Sequence, residues 1–267
     1  MNKLNENFID NNFINQLKKI IINANNKIID IYENYDFNVQ YKSDNSPLTI
    51  ADQESNKIII KGLININKTI NMDIPIISEE NKIVDFENRK KWKYCWLVDP
   101  LDGTKEFIKK NGEFTTNIGL IKNNSVIFGI VGIPVQKLIY YGGSNVKSIK
   151  VDYNNKFNEI KINKDYSKQF NIVASKSHLN QKTKDLIDNL KYENKNLVSY
   201  GSSLKILKVA DGSADYYPRA APTMEWDTCA AHGVLKGCNS NLLKIEDNTE
   251  IIYNKKDLLN PYFHTEL

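Results

Sequence analysis

Tyr94-Cys95-Trp96-Leu97-Val98-Asp99-Pro100-Leu101-Asp102-Gly103-Thr104 is the stretch on which the fold of this chain turns. Its first five residues are a solid apolar run with the length and composition of a buried strand. Apolarity stops at Asp99, and two carboxylates, a proline, a glycine and a hydroxyl follow within a few residues. Pro100 fixes its own φ and biases Asp99 towards extended backbone, so Asp99 is expected to finish the strand rather than start a helix. Gly103 allows a tight turn and a close approach of backbone to a ligand. Two carboxylates three residues apart at a strand end repel each other unless a cation lies between them. Hard oxygen ligands in that arrangement suit Mg²⁺, which binds one or two carboxylates together with phosphate oxygens. The stretch therefore predicts the floor of a metal-assisted phosphatase site. The plain alternative is a surface loop, because Asp-Pro and Asp-Gly are ordinary turn dipeptides. The buried-looking strand before them and the Thr104 hydroxyl beside them count against it.

Upstream, apolar residues recur at helical spacing over 8–32 (Phe13, Leu17, Ile20, Ile21, Ala24, Ile28, Ile31), which predicts a long amphipathic helix with a core-facing stripe. Ser46-Pro47-Leu48-Thr49-Ile50-Ala51-Asp52 leads into a second helix through Leu63 and Ile64, and taken alone Asp52 is a helix-start carboxylate. Ile74-Pro75-Ile76-Ile77 predicts a short strand ending in Ser78-Glu79-Glu80, and the charged residues 81–92 a surface connection. Downstream, residues 105–113 are expected to cover the motif as a turn or loop. Residues 115–143 alternate apolar segments with turns, which predicts an antiparallel meander. The polar, Lys- and Asn-rich residues 144–168 hold the expected boundary between an α+β half (1–160) and an α/β half (161–267). In the second half, strands at Phe170–Ala174 and 197–200 alternate with helices at 183–190, from a cap at Gly201-Ser202-Ser203 to about Ala210, and from Trp226-Asp227 onward. Loops following such strands are where open α/β sheets bind ligands.

At 267 residues the chain can bury a substantial core. Its formal charge of +4 is a small difference between 36 basic and 32 acidic residues, interspersed without a basic block. That balance argues against nucleic acid as a partner. Three cysteines without a CxxC pair predict no disulfide framework and a reduced, cytoplasmic setting. No apolar run approaches the ~20 residues of a membrane helix, which leaves only a peripheral association with the inner face of a membrane open. The three histidines lack metal-ligand spacing, and there is neither a Ser/His/Asp elbow nor a GxxxxGK[ST] loop.

Asp99-Pro100-Leu101-Asp102-Gly103-Thr104 with the distant Trp226-Asp227 resembles the two signatures of the inositol monophosphatase superfamily, Mg²⁺-dependent and lithium-sensitive phosphatases. Lys105-Glu106-Phe107, Asn111-Gly112-Glu113-Phe114-Thr115, Gly201-Ser202-Ser203-Leu204-Lys205 and Tyr217-Pro218-Arg219 extend the likeness. They are most similar to the CysQ-type branch, which hydrolyses 3'(2'),5'-bisphosphonucleotides. The likeness spans about Asp52 to His232 and implies a layered αβαβα sandwich. By resemblance, Glu79, Asp99 and the Leu101 carbonyl hold one Mg²⁺, and Asp99, Asp102 and Asp227 hold a second, with two or three ions per site. Asp52 and Thr104 are implied to orient and deprotonate the attacking water, and the Gly103 and Thr104 amides to hold phosphate oxygens.

Lys205 and Arg219, with Ser202, Ser203 and His178, are implied to take the second phosphate of a small nucleoside bisphosphate. Without the family likeness, Lys205 reads as a solvated helix face and Arg219 as a surface ion pair. The implied reaction removes the 3'-phosphate of adenosine 3',5'-bisphosphate, a by-product of sulfate activation, or of its sulfated counterpart. Inositol monophosphates are the alternative substrate, and a non-catalytic phosphate-binding protein the alternative class. A monomer or homodimer is expected. Two departures stand out. Ala231 replaces the glycine of the usual Gly-His, predicting a small local shift with the metal ligand intact, and Ala221-Pro222 replaces the usual Gly-Pro.

Overall fold

A computed structural model of the chain describes residues 8–34, 40–41, 47–160, 169–175, 180–192 and 194–266. Its first part runs α1 (Asn11–Asn34), the paired β1 (Gln40–Tyr41) and β2 (Pro47–Leu48), α2 (Ile50–Thr69), β3 (Ile76–Ser78), α3 (Phe86–Arg89), β4 (Tyr94–Asp102) and α4 (Thr104–Ile108). An antiparallel meander follows: β5 (Thr115–Lys122), β6 (Ser125–Ile133), β7 (Leu138–Gly143), β8 (Val146–Asp152) and β9 (Phe157–Glu159). Among the described residues, β3 to β9 form one sheet in chain order, with β3 parallel to β4.

The apolar run of β4 is continuous because both faces of this sheet are covered. Trp96 and Val98 point to one face, where they pack with α1 and α2 through Phe13, Leu17, Ile59 and Leu63. Cys95 and Leu97 point to the other face, against residues of the last helix described below. A strand buried on both faces loses the polar alternation that a half-buried strand shows.

The second part runs β10 (Phe170–Ala174), α5 (Gln181–Asp188), β11 (Lys195–Ser199), α6 (Leu204–Ala210), β12 (Tyr216–Arg219), α7 (Glu225–Gly237), β13 (Leu243–Lys244) and β14 (Phe263–Glu266). The described strands pair in the order β11-β10-β12-β14-β13, with β10 parallel to β11 and β12, and β14 antiparallel. Helices α6 and α7 lie between the two sheets, α1 and α2 outside the first, and α5 outside the second. The result is the expected αβαβα layering. Among the described residues no helix is long and apolar enough to cross a membrane.

Helix α7 approaches the first sheet almost to backbone contact. A Cβ on Gly129 would stand 1.9 Å from the Ala230 carbonyl oxygen, and one on Gly233 would stand 2.4 Å from the Gly129 nitrogen. The closest approach therefore falls at Ala230 and Gly233, and Ala231, whose methyl was expected to crowd the helix, sits fully buried in the core between them.

Five local expectations are corrected. Strand β4 continues past Asp99 to Asp102, because a register shift between these residues accommodates Pro100 in the ladder. Residues 105–113 open with α4 rather than a loop, driven by Phe107, which is fully buried in a ring cluster with Tyr32 and Phe114. Residues 144–168 include β8 and β9, and residues 161–168 lie outside the described residues. The polarity of β8 misleads because Ser148 is buried, its hydroxyl donating to the Val234 carbonyl. The connection 81–92 is not all surface, since Arg89 is buried. The Ser203 side chain makes no cap on α6.

Candidate functional site

Three elements from distant parts of the chain deliver carboxylates to one place. Glu79 directly follows β3, and its N–H donates to the Val98 carbonyl at 3.1 Å, so the parallel β3–β4 pairing carries it alongside Asp99. Asp227 lies in the first turn of α7, where its Oδ2 accepts the Met224 N–H at 2.8 Å. One carboxylate oxygen from each of Glu79, Asp99 and Asp227 lies within 4.8 Å of the others.

The peptide around Asp99 is held rigidly. The Leu101 N–H donates to Asp99 Oδ1 at 3.0 Å, and the Pro100 carbonyl accepts from Ser55 Oγ at 2.8 Å and Thr116 Oγ1 at 3.3 Å. Burial pushes the Asp99 carboxyl well above the usual carboxylate range, and the charges of Glu79, Asp102, Asp227 and Asp52 push it further. Asp227 is raised in the same way by burial, then by Asp102 and Glu79. Asp102 is outside the three-oxygen cluster. Its Oδ2 accepts the Ser203 N–H at 2.6 Å, and burial lifts its pKa to about 6 against the opposing pull of Lys205 and that N–H. So many buried acids cannot all ionise together unless a cation joins them. An all-oxygen donor set fits a hard divalent ion such as Mg²⁺. The Leu101 carbonyl, the further oxygen expected as a ligand, lies 3.4 Å from Thr104 Oγ1.

Asp52 and Thr104 meet across the edge of this cluster. Thr104 Oγ1 donates to Asp52 Oδ1 at 3.1 Å. The other oxygen, Oδ2, accepts the Thr49 N–H at 2.8 Å and the Thr49 hydroxyl at 2.6 Å, so Asp52 also completes the capping box that starts α2. Gly103, with φ +94°, makes the turn that brings Thr104 round; a Cβ there would stand 3.2 Å from both the Glu113 carbonyl oxygen and Ser202 Cβ.

Beside the carboxylates lies a cavity of about 150 Å³ whose walls include Asp102, Asp227, Lys205, Arg219, Ser175 and Ser202. It sits where β10 is flanked by β11 on one side and β12 on the other, at the carboxyl ends of the parallel strands. This switch point is where such sheets bind ligands. Lys205 is buried. Its ammonium donates to the Tyr200 carbonyl at 3.2 Å and the Ser202 carbonyl at 2.7 Å, and burial lowers its pKa to about 8 although Asp102 opposes this. Arg219 makes no surface ion pair among the described residues. One guanidinium nitrogen donates to the Pro222 carbonyl at 3.1 Å, and its buried Nε has no hydrogen-bond partner among the described residues. Ser202 Oγ is 2.8 Å from Thr115 Oγ1, and the Ser203 hydroxyl donates to Asn117 Oδ1 at 2.9 Å. His178 lies outside the described residues.

Sequence reasoning passed over Glu113, whose Oε2 accepts the Gly201 N–H at 2.9 Å and so holds the turn that feeds Ser203 to Asp102. No local pattern marks that link. The Thr49 cap did carry a signal, the Thr-x-x-Asp spacing.

His232 lies about two turns along α7, fully buried, with Nδ1 2.9 Å from the Tyr253 hydroxyl. Burial, and secondarily the charge of Lys236, lower its pKa to about 3. Glu250 is 3.8 Å from Nε2 but is paired with Lys236 at 2.6 Å. In the unfolded chain this histidine takes up a proton below about pH 6.5, whereas the folded form stays neutral. Stability is thus held above that value and lost as pH falls. Urea unfolding at pH 7 and pH 5 should show a fall of about 2 kcal/mol from this residue. His232→Gln should flatten the slope by that amount; equal slopes would contradict neutral burial.

Residues 10–266 match the model of the inositol monophosphatase family. The chain is 34% identical over 255 residues to the 3'(2'),5'-bisphosphate nucleotidase CysQ of Salmonella typhimurium, covering 95% of this chain and 99% of that protein. It is 35% identical to the protein of the same name from Escherichia coli (strain K12), with the same coverage. The crystal structure of CysQ from Bacteroides thetaiotaomicron has 37% sequence identity and a TM-score of 0.84, covering 97% of this chain and 98% of that one.

Proposed function

This chain belongs to the inositol monophosphatase family, and from that premise we infer that it is a divalent-metal-dependent phosphatase removing the 3'-phosphate of adenosine 3',5'-bisphosphate. The observation that carries this reading is the convergence of Glu79, Asp99 and Asp227 within 4.8 Å, beside a cavity lined by Lys205 and Arg219. A phosphate at the carboxylates would leave room for the rest of a nucleotide at the switch point, and the CysQ relatives are named for that substrate class.

Two Mg²⁺ ions fit the reading: Glu79, Asp99 and the Leu101 carbonyl would hold one, and Asp99, Asp102 and Asp227 would hold the other. When bound, such ions supply Lewis acidity and charge neutralisation towards the phosphate oxygens. The side chains do the rest. Thr104 Oγ1 gives its proton to Asp52, which leaves the Thr104 oxygen lone pairs facing the water and able to accept its proton. The water oxygen forms the new bond to phosphorus while the bond to the ribose oxygen breaks, and that oxygen leaves with the electron pair and takes up a proton from solvent to become the ribose hydroxyl. The Gly103 and Thr104 amides contribute donors to the phosphate oxygens, and Arg219, whose Nε is without a partner among the described residues, is the natural anchor for the remote phosphate.

Phosphate release from adenosine 3',5'-bisphosphate should exceed that from inositol 1-phosphate by at least about tenfold in kcat/KM, a difference of about 1.4 kcal/mol in transition-state binding. Millimolar lithium should inhibit it. Preference for the inositol ester would overturn the substrate assignment, and lithium insensitivity would overturn the assigned metal geometry.

A further inference from the structure

Glu79 and Asp227 come from segments that no strand pairing joins; the packing of α7 on the first sheet brings them together, and a polar link at the start of α7 adds to it. Glu225, two residues before Asp227, is fully buried. Its carboxylate accepts the backbone N–H groups of Asn254 and Lys255, the latter at 3.0 Å, and also the Lys255 ammonium. Its own N–H donates to the Leu258 carbonyl at 2.9 Å. The start of α7 is thereby moored to residues 254–258.

That segment is held in turn by Arg89, which ends α3 in the connection leaving Glu79. Arg89 is only 2% exposed. Its guanidinium donates to Asn254 Oδ1, to the carbonyls of Lys255 at 3.2 Å and Lys256 at 3.4 Å, and through Nε to the Val84 carbonyl at 2.7 Å. Asn254 Nδ2 returns a bond to the Arg89 carbonyl at 2.8 Å. A buried path therefore runs from Arg89, in the connection that leaves Glu79, through Asn254 and Glu225 to the turn holding Asp227. Buried charged groups are costly, and apolar residues of similar volume would serve packing alone as well or better.

We propose that Arg89 and Glu225 are positioning residues that set the separation of Glu79 and Asp227, and with it the affinity for the divalent cation. The proposal rests on the reading of Glu79, Asp99 and Asp227 as ligands. Partners that orient metal ligands change metal affinity by about 10–100-fold when removed.

The test uses the full chain with Mn²⁺ as probe, free ion being measured by electron paramagnetic resonance. Glu225→Gln and Arg89→Lys should each raise the Mn²⁺ dissociation constant by about tenfold or more. They should also raise the Mg²⁺ concentration for half-maximal activity while leaving kcat at saturating metal within about threefold of wild type. Tyr140→Phe, which removes a buried-edge bond to Asp211 of 2.9 Å elsewhere in the fold, controls for lost stability and should bind Mn²⁺ normally. Should either charged variant fail to fold, Asn254→Gly, which suits the local φ of +55° and deletes both side-chain bonds to Arg89, carries the same expectation. Folded variants binding Mn²⁺ within twofold of wild type, or an equal loss in Tyr140→Phe, would overturn this proposal alone. A wild-type chain that binds no Mn²⁺ would overturn the ligand reading and this proposal together.

Discussion

Asp99→Asn should lower phosphate release by at least about 10³-fold while making the metal-free chain more stable. The substitution keeps the size of the side chain and an oxygen able to accept the Leu101 N–H, now at 3.0 Å from Asp99 Oδ1, so the bulged end of β4 should survive. What it removes is the charge nearest the centre of the cluster, the one on which Glu79, Asp102, Asp227 and Asp52 all act. Without a cation that charge is a liability, because it is buried among like charges. Thermal melts in a chelator should therefore rise by at least about 3 °C, and the further rise that Mg²⁺ gives the wild type should vanish. An active variant, or one that melts lower without metal, would show that Asp99 serves the fold rather than the ion.

Asp52→Asn should cut kcat by about 10²–10⁴-fold and leave KM within about threefold. Asparagine offers one acceptor oxygen where the carboxylate offers two, and Asp52 uses both, one for Thr49 and one for Thr104. If the amide keeps Thr49 satisfied, its NH₂ faces Thr104 and can no longer take a proton from it. The helix cap should lose only about 1 kcal/mol, visible in urea unfolding. Thr104→Val should produce a similar loss in kcat, and the double variant little more than either alone, because the two act as one proton path. Additive losses would separate their roles. A large change in KM with kcat preserved would place Asp52 in binding rather than in proton transfer.

The parts of this molecule that were legible beforehand are those in which chemistry is written locally. The β4 run with its acidic end, the α1 stripe, and the position of Glu79 at the end of a short strand are all patterns of adjacent residues. The Asp52–Thr104 pair became legible only through a family likeness, since helix-start aspartates are common for their own reasons. Charged and polar residues whose partners come from elsewhere in the chain stayed opaque. Arg89 and Glu225 look like surface residues until Asn254 and Lys255 are folded against them. The Ser203 N–H that steadies Asp102 is a backbone group and leaves no mark in residue type. Strands β8, β13 and β14 are short or mixed in polarity, and depend on neighbouring strands rather than on their own apolar content.

Helix α7 fills the middle layer, yet it follows every strand of the first sheet in chain order and bears Asp227 at its tip. During synthesis the first sheet would emerge with its Cys95 and Leu97 side bare, waiting for a helix not yet made. The three-carboxylate cluster would thus stay open until α7 closes on the first sheet, because Asp227 comes with that helix.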